Sequence, residues 1–462
     1  MSEKILFVTG KLAERQLKRI LNVMKPEFSY KISQIGVSVA ALMSENILMR
    51  RISKDDEISK IIVPGRFRGN LERLSKFFKV PVERGPDDLR NLPDYFGLDS
   101  YQDKLEKYDC LIFGEIVDAT ILTTNQIIER AKEYKKDGAN IIDLGCMPDT
   151  KFDHLEDTVQ KLKTEGFKVS IDSADDQELL RGGKAGADYL LSISERNSYI
   201  ANEVDSIPIL IPSKPGDIKS LERLISKFIS KKKIFFADPI LDPIHYGFMD
   251  SLDRFRKLRN KFPDINILMG IGNLTELTDS DSSGVNAILM GLVSELNIKA
   301  VLVVQVSNHC RNAIKETDSA RKLMYFAKQN QRLPMGIDNN LMCLADRKSS
   351  RMTNQEVKEI KSLVKDKNYR IILTDEGVNI FNSNIHKVGI DPFDFFENIK
   401  EHLDSSHAFY LGVELARAQI AHQLGKKYNQ DNELDWGVAF RKDKENFLSR
   451  PALKSTQKKN DH

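Results

Sequence analysis

The chain has 462 residues, 41% hydrophobic and 30% charged, enough to bury a sizeable core and to build two or three domains. Lysine and arginine number 70 against 67 acidic residues, a formal charge of +3, so charge gives no argument for nucleic acid or an anionic membrane as partner. Cys110, Cys146, Cys310 and Cys343 lie far apart with no CxxC pair, which speaks for reduced thiols in a cytoplasmic protein and against a cysteine zinc site.

The first segment, "MSEKILFVTG", enters a strand at once and has none of the marks of a secretory signal. "KLAERQLKRILNVM" follows with Leu12, Leu17, Ile20 and Leu21 at helical spacing. "SKIIVPG" is a second strand and "NLERLSKFF" a second amphipathic helix, so residues 1–105 predict a small Rossmann-like α/β domain. Gly10, Lys11, Gly65, Arg66 and Arg68 fall at its strand-to-helix turns, where N–H groups and cations suit a phosphate. Neither turn matches a nucleotide-binding fingerprint, and tight turns are the simpler account. "RGPDDLRNLPDYFG" is rich in turn formers and marks the exit.

From Cys110 a strand–helix rhythm repeats eight times. The strands are "CLIFGEI", "NIIDLG", "KVSID", "DYLLSI", "IPILIPS", "IFFAD", "NILMGIG" and "AVLVVQV", the last far short of the ~20 residues of a membrane-spanning helix. Eight βα units in residues 106–330 predict a closed (β/α)8 barrel. From residue 331 to 462 a small α+β domain follows. It has a hairpin in "YRIILTDEGVNIFNSNIHKVG", turning at "DEG", then the helical "DFFENIKEHL" and "AFYLGVELARAQIAHQLG", and a polar tail. Phe409, Tyr410 and Trp436 suit its core, or else a partner surface.

In such a barrel the site lies where the strands end. Those ends carry Glu115 and Asp118, Asp143, Asp172, Ser192, Lys214, Asp238, Asn273, and Asn308 with His309. Helix capping accounts for some Asp and Asn at these positions. It accounts less well for Asp172 in "KVSIDSADDQELL", where Asp175 is better placed as the cap and Asp172 is freed for another task. Converging carboxylates and an amide suit a planar heterocycle with adjacent ring N–H and exocyclic amine groups, which a carboxylate can grip in a bidentate pair.

The barrel resembles the pterin-binding barrels of dihydropteroate synthases and pterin-dependent corrinoid methyltransferases. The resemblance rests on "IIERAKEYKKDGANIIDLG", "VSIDSADDQELLRGGKAGADYLLSIS", "ADPILDPI" and "MGIGN". The flanking "VTGKLAERQLKRIL" through "PVERGPDDLRNLPDYFG", and "AFYLGVELARAQIAHQLGK", are similar to the extensions of archaeal dihydropteroate synthase-related proteins. That group is associated with folate-type or tetrahydromethanopterin synthesis, a one-carbon metabolism. The resemblance implies that Asp172 and Asp238 bind the pterin edge, that Asn273 also contacts the ring, and that Asp143 fits the pattern, as a ring ligand or as support for the floor of the site. Leu191 stands where the family usually has Asn, so one ring hydrogen bond is lost or passes to Ser192.

The diphosphate half of the family site is rewritten. Val117 and Asp118 replace the usual Asn region of the first loop, "GCMPDTKF" has no Arg, and "NLTELTDSDSSG" has no Lys. "VSNHCRN" offers His309 and Arg311 in reversed order. His309 and Arg311, with Lys214 and Arg196, are the replacement anion binders, or else solvated loop charges. Asp118 is a magnesium ligand or a surface turn residue. His245 is a general base for the incoming amine or a structural loop histidine. The eight histidines show no HxxxH or HxH pair, which argues against a histidine metal centre. The expected activity is condensation of a dihydropterin methyl diphosphate with an arylamine; a methyltransferase subunit and a non-catalytic pterin-binding protein are the alternatives. A homodimer is open.

Overall fold

A computed structural model describes residues 3–36, 43–53, 55–65, 67, 69–86, 89, 92–97, 105–347, 351–399 and 404–440. Arg66, Arg68 and the polar C-terminal tail lie outside the described residues. The chain divides into two compact units. One holds Met1–Lys104 with Lys348–Leu434, the other Leu105–Arg347 with Asp435–Ser449.

In the first unit, β1 (Lys4–Thr9), β2 (Ser29–Gln34), β3 (Lys60–Val63) and β4 (Val82–Arg84) form a parallel sheet in the order β2-β1-β3-β4. The residues of β1 alternate between two apolar layers. Ile5 and Phe7 pack with Leu17 and Leu21, while Leu6 and Val8 pack with Leu48, Phe67 and Leu74. Covering on both faces explains why β1 is apolar from Ile5 to Val8. β2 and β4 are additions to the two strands legible in sequence. β2 is the half-polar edge "SYKISQ", and β4 is only three residues long.

In the second unit, β5 (Leu111–Ile116), β6 (Ile141–Gly145), β7 (Val169–Asp172), β8 (Tyr189–Ile193), β9 (Ile207–Leu210), β10 (Phe236–Ala237), β11 (Asn266–Gly270) and β12 (Ala300–Val304) close into a parallel barrel, with β12 paired to β5. Every predicted barrel strand is present. β9 and β10 stop early, because Pro212 and Pro239 have no N–H to continue the ladder. Alternation sorts the side chains by face. Phe113, Ile141, Tyr189, Leu191, Ile209, Phe236, Leu268 and Ala300 form one buried cluster, the barrel filling. Their neighbours Ile112, Ile142, Ile171, Leu190, Ile267 and Val301 join the larger core under the helices. The rings of Phe113 and Tyr189 meet edge to face at 5.0 Å. The interior is therefore a plug, and only its end can hold a ligand.

Some of the barrel helices start on side-chain caps. Thr123 makes a capping box with Gln126 before the helix Thr124–Asp137, and Asp175 accepts from the Gln177 N–H at the head of Asp176–Lys184. On the helix Ala313–Gln329, Arg321 is only 3% exposed and donates to the carbonyls of Cys110 and Gly138, to the Asn140 side chain and to Asp318. It ties the last helix to the starts of β5 and β6.

The remaining part of the first unit carries β13 (Arg370–Thr374), β14 (Gly377–Phe381) and β15 (His386–Gly389) in an antiparallel sheet, packed with helices Pro392–Ile399 and Ser405–Leu424. The predicted hairpin is β13–β14. "HKVG" adds a third strand, whose exposed Lys387 and Val388 give it no apolar period. Tyr410 sits half-buried against the core of this sheet, and Phe409 is 77% exposed. Among the described residues no helix is long and apolar enough to cross a membrane.

Candidate active site

The alternation that sends Phe113 into the barrel sends Glu115 inward one step further, at the C-terminal end of β5. On β6 the same parity carries Ile141 and then Asp143, and on β7 it carries Ser170 and then Asp172. Register puts Glu115 opposite Asp143, Asp143 opposite Ser170, and Gly145 opposite Asp172. Gly145 has no side chain because there is no room for one. A Cβ there would lie 2.9 Å from Glu115 Oε1 and 2.9 Å from the Val117 Cα. The three carboxylates each offer an oxygen within 4.8 Å of the other two.

Their electrostatics are unbalanced. Asp143 has no accessible surface, and neither of its oxygens has a hydrogen-bond partner. Burial first, then the charges of Asp172 and Glu115, push its pKa well above the usual carboxylate range, and nearby Ser170 relieves this only in part. Glu115 is pushed up to about 7 by burial and by Asp172. Asp172 is raised by burial, against the Ser192 hydroxyl that donates to its Oδ1 at 2.9 Å. Ser192 does this from a left-handed backbone, φ 74°, at an irregularity in the β8–β9 register. A non-glycine residue in that region is strained, and strain of this kind gathers at sites.

Asp238 follows β10 and accepts from the Ile240 N–H at 2.8 Å. Burial, together with the charge of Asp172, pushes it up to about 7 against the Ile240 hydrogen bond and Arg254. Ile240 is also left-handed, φ 67°, which is costly for a β-branched residue. Arg254 holds this loop by donating to the carbonyls of Pro239 and Ile240 and to Asp242. Asn273 sits in the short helical turn after β11 and donates to the Leu241 carbonyl at 2.9 Å, which leaves its side-chain oxygen for a ligand.

The loop cations are less concentrated. Arg196 is exposed and pairs with Asp176 at 3.1 Å. Lys214 lies in an exposed turn after β9. His309 shares a hydrogen bond of 3.1 Å with the Thr275 carbonyl, two residues before the exposed Arg311. His245 is exposed in a left-handed turn. Asp118 pairs with Arg130, so as placed its carboxylate does not fit a magnesium site. A surface depression of about 550 Å³ opens at the opposite, N-terminal ends of β7 to β9, lined by Lys168, Lys184, Asp188 and Asp205. That face of a barrel carries stability rather than chemistry, and Asp188 is already paired with Lys163.

Residues 3–87 match a family of unknown function, DUF6513. The uncharacterized protein MJ0107 of Methanocaldococcus jannaschii is 30% identical, in an alignment covering 93% of this chain and 99% of that protein. The chain belongs to the family of MJ0107. Among solved structures, the dihydropteroate synthase of Yersinia pestis with a pterine-sulfa conjugate aligns at 14% identity and a TM-score of 0.38, over 48% of this chain and 94% of that one. The Thermus thermophilus dihydropteroate synthase in complex with 4-aminobenzoate aligns at 16% identity and a TM-score of 0.37, over 49% and 97%.

In this member of the MJ0107 family, sequence reasoning gave Glu115 a place at a strand end but no role. The inward series Leu111, Phe113, Glu115 was the available signal. Gly145 and Ser170 gave none, since their part depends on which side chains face them across the sheet.

Proposed function

We propose that the barrel mouth binds a reduced pterin and that the protein is a dihydropteroate synthase-like transferase. In this reading Asp172 and Asp238 accept the N–H groups of the ring edge, Asn273 contacts the ring through its free carbonyl oxygen, and Ser192 orients Asp172. Asp143 supports the floor. The observation that carries it is the pair Asp172 and Asp238: both partly buried at the barrel mouth, electrostatically in touch, and, among the described residues, with no lysine or arginine bonded to either. Each accepts one hydrogen bond from the protein, which leaves most of its acceptor capacity unmet, and a ring with adjacent N–H donors would fill it. The motifs around "VSID", "ADPILDPI" and "MGIGN" support the same ligand.

The reaction joins the arylamine nitrogen to the pterin methylene carbon. The nitrogen lone pair forms the C–N bond, the C–O bond to diphosphate breaks, and the amine proton passes to His245 or solvent. His309, Arg311, Lys214 and Arg196 would meet the leaving group. The product places the protein in folate or tetrahydromethanopterin biosynthesis. The test is pyrophosphate release from a dihydropterin methyl diphosphate and p-aminobenzoate in magnesium buffer. We expect release from wild type and none from Asp172→Ala.

One observation favours a second reading, a pterin-dependent methyltransferase subunit or a non-catalytic carrier of reduced pterin. Arg196, one of the loop cations assigned to the leaving group, is engaged by Asp176, and Asp118 of the first loop is engaged by Arg130 of the following helix. Pterin binding with no turnover of the diphosphate would decide for it.

A further inference from the structure

Ring recognition by Asp172 and Asp238 leaves the deeper acids unexplained. Asp143 is fully buried with both oxygens unpartnered, and the Ser170 hydroxyl, its partner across the sheet, is also buried and unpartnered. Protonation would remove the charge of Asp143, but the nearby Ser170 hydroxyl could then serve at most one of its two oxygens, so a deficit would remain. A cation does not have that requirement. Metal–oxygen bonds of about 2.0–2.6 Å put oxygens across one ion at about 4–5 Å. The oxygens of Glu115, Asp143 and Asp172, all within 4.8 Å of one another, suit a single ion. Gly145 leaves the space in which the Glu115 carboxylate reaches the group.

We propose that Glu115, Asp143 and Asp172 hold one divalent cation at the floor of the barrel mouth. An all-oxygen set selects a hard ion of the Mg²⁺, Mn²⁺ or Ca²⁺ type over zinc or copper. Three carboxylates against two positive charges leave a site that binds without help from the protein's own cations. The site shares Asp172 with the proposed ring-binding pair but not Asp238, so substitution of Asp238 distinguishes failure of one reading from failure of the other.

The test uses the full chain, stripped with EDTA and titrated with Mn²⁺ alone, followed by electron paramagnetic resonance and by calorimetry. Wild type and Asp238→Ala are each expected to bind one Mn²⁺, and Asp143→Asn and Glu115→Gln to lose it. Asp143→Asn keeps the shape of the side chain, so the metal-free variant should stay folded, with a melting temperature close to that of wild type. Mn²⁺ should then raise the melting temperature of wild type and of Asp238→Ala, but not of Asp143→Asn or Glu115→Gln. No bound Mn²⁺ in wild type, or equal binding by folded Asp143→Asn and Glu115→Gln, overturns the proposal. Loss of pterin binding in Asp238→Ala with metal binding intact would separate the two sites.

Discussion

Asp238 keeps its proton far above the usual carboxylate range, to about 7, because burial and Asp172 penalise its charge. Between its unfolded pKa and about 7 the folded protein binds the extra proton. This contribution to stability is therefore full in acid and is lost as pH rises through about 7. The melting temperature of the ligand-free protein should fall from pH 5.5 to pH 7.5, and by less in Asp238→Asn; an equal fall in both would contradict the assignment. Gly145 makes a different demand, for space. Gly145→Ala pushes a methyl against backbone at Val117 and against the Glu115 carboxylate, and should cost roughly 1–3 kcal/mol in denaturant unfolding. Asp172, Asp238 and Asn273 were legible in the sequence because each ends a strand of a recognisable unit. Ser192 was legible as a polar residue, but its left-handed backbone depends on a register irregularity that no local pattern encodes.

The eight strands and their helices were legible for a simple reason. A barrel strand is apolar on both faces, and its helices carry a 3.6-residue period, so the two alternate visibly. β2 and β15 escaped because an edge strand with polar residues has neither signature. The closure of the barrel was legible from the count of eight βα units, but the residue that secures it was not. It is secured at the N-terminal end by Arg321, which collects two carbonyls, Asn140 and Asp318 in the dry interior and lies over the Tyr108 ring at 3.6 Å. Arg321→Ala leaves these acceptors unpaired and should cost on the order of 3–5 kcal/mol, measured by chemical denaturation.

At the scale of the molecule, the two compact units differ in what their sequences disclose. The barrel unit declares its site through strand ends. The other unit offers apolar cores, turn residues and a hydrogen-bonded network around the buried Glu414, but among its described residues no acidic group spaced for a metal, and its family match carries no function. The division of the chain at residues 105 and 330 into three domains is our proposal beside this grouping into two units. Near-neutral charge over the whole chain told nothing of the local imbalance at the barrel mouth, where four carboxylates with raised pKa values meet. The claim that matters most is that this acidic mouth grips a nitrogen-rich ring, and calorimetry with a dihydropterin on wild type and Asp238→Ala tests it most directly. Saturable binding by wild type that is lost in the folded variant is the predicted result. No heat of binding from wild type, or the same affinity in Asp238→Ala, would contradict it.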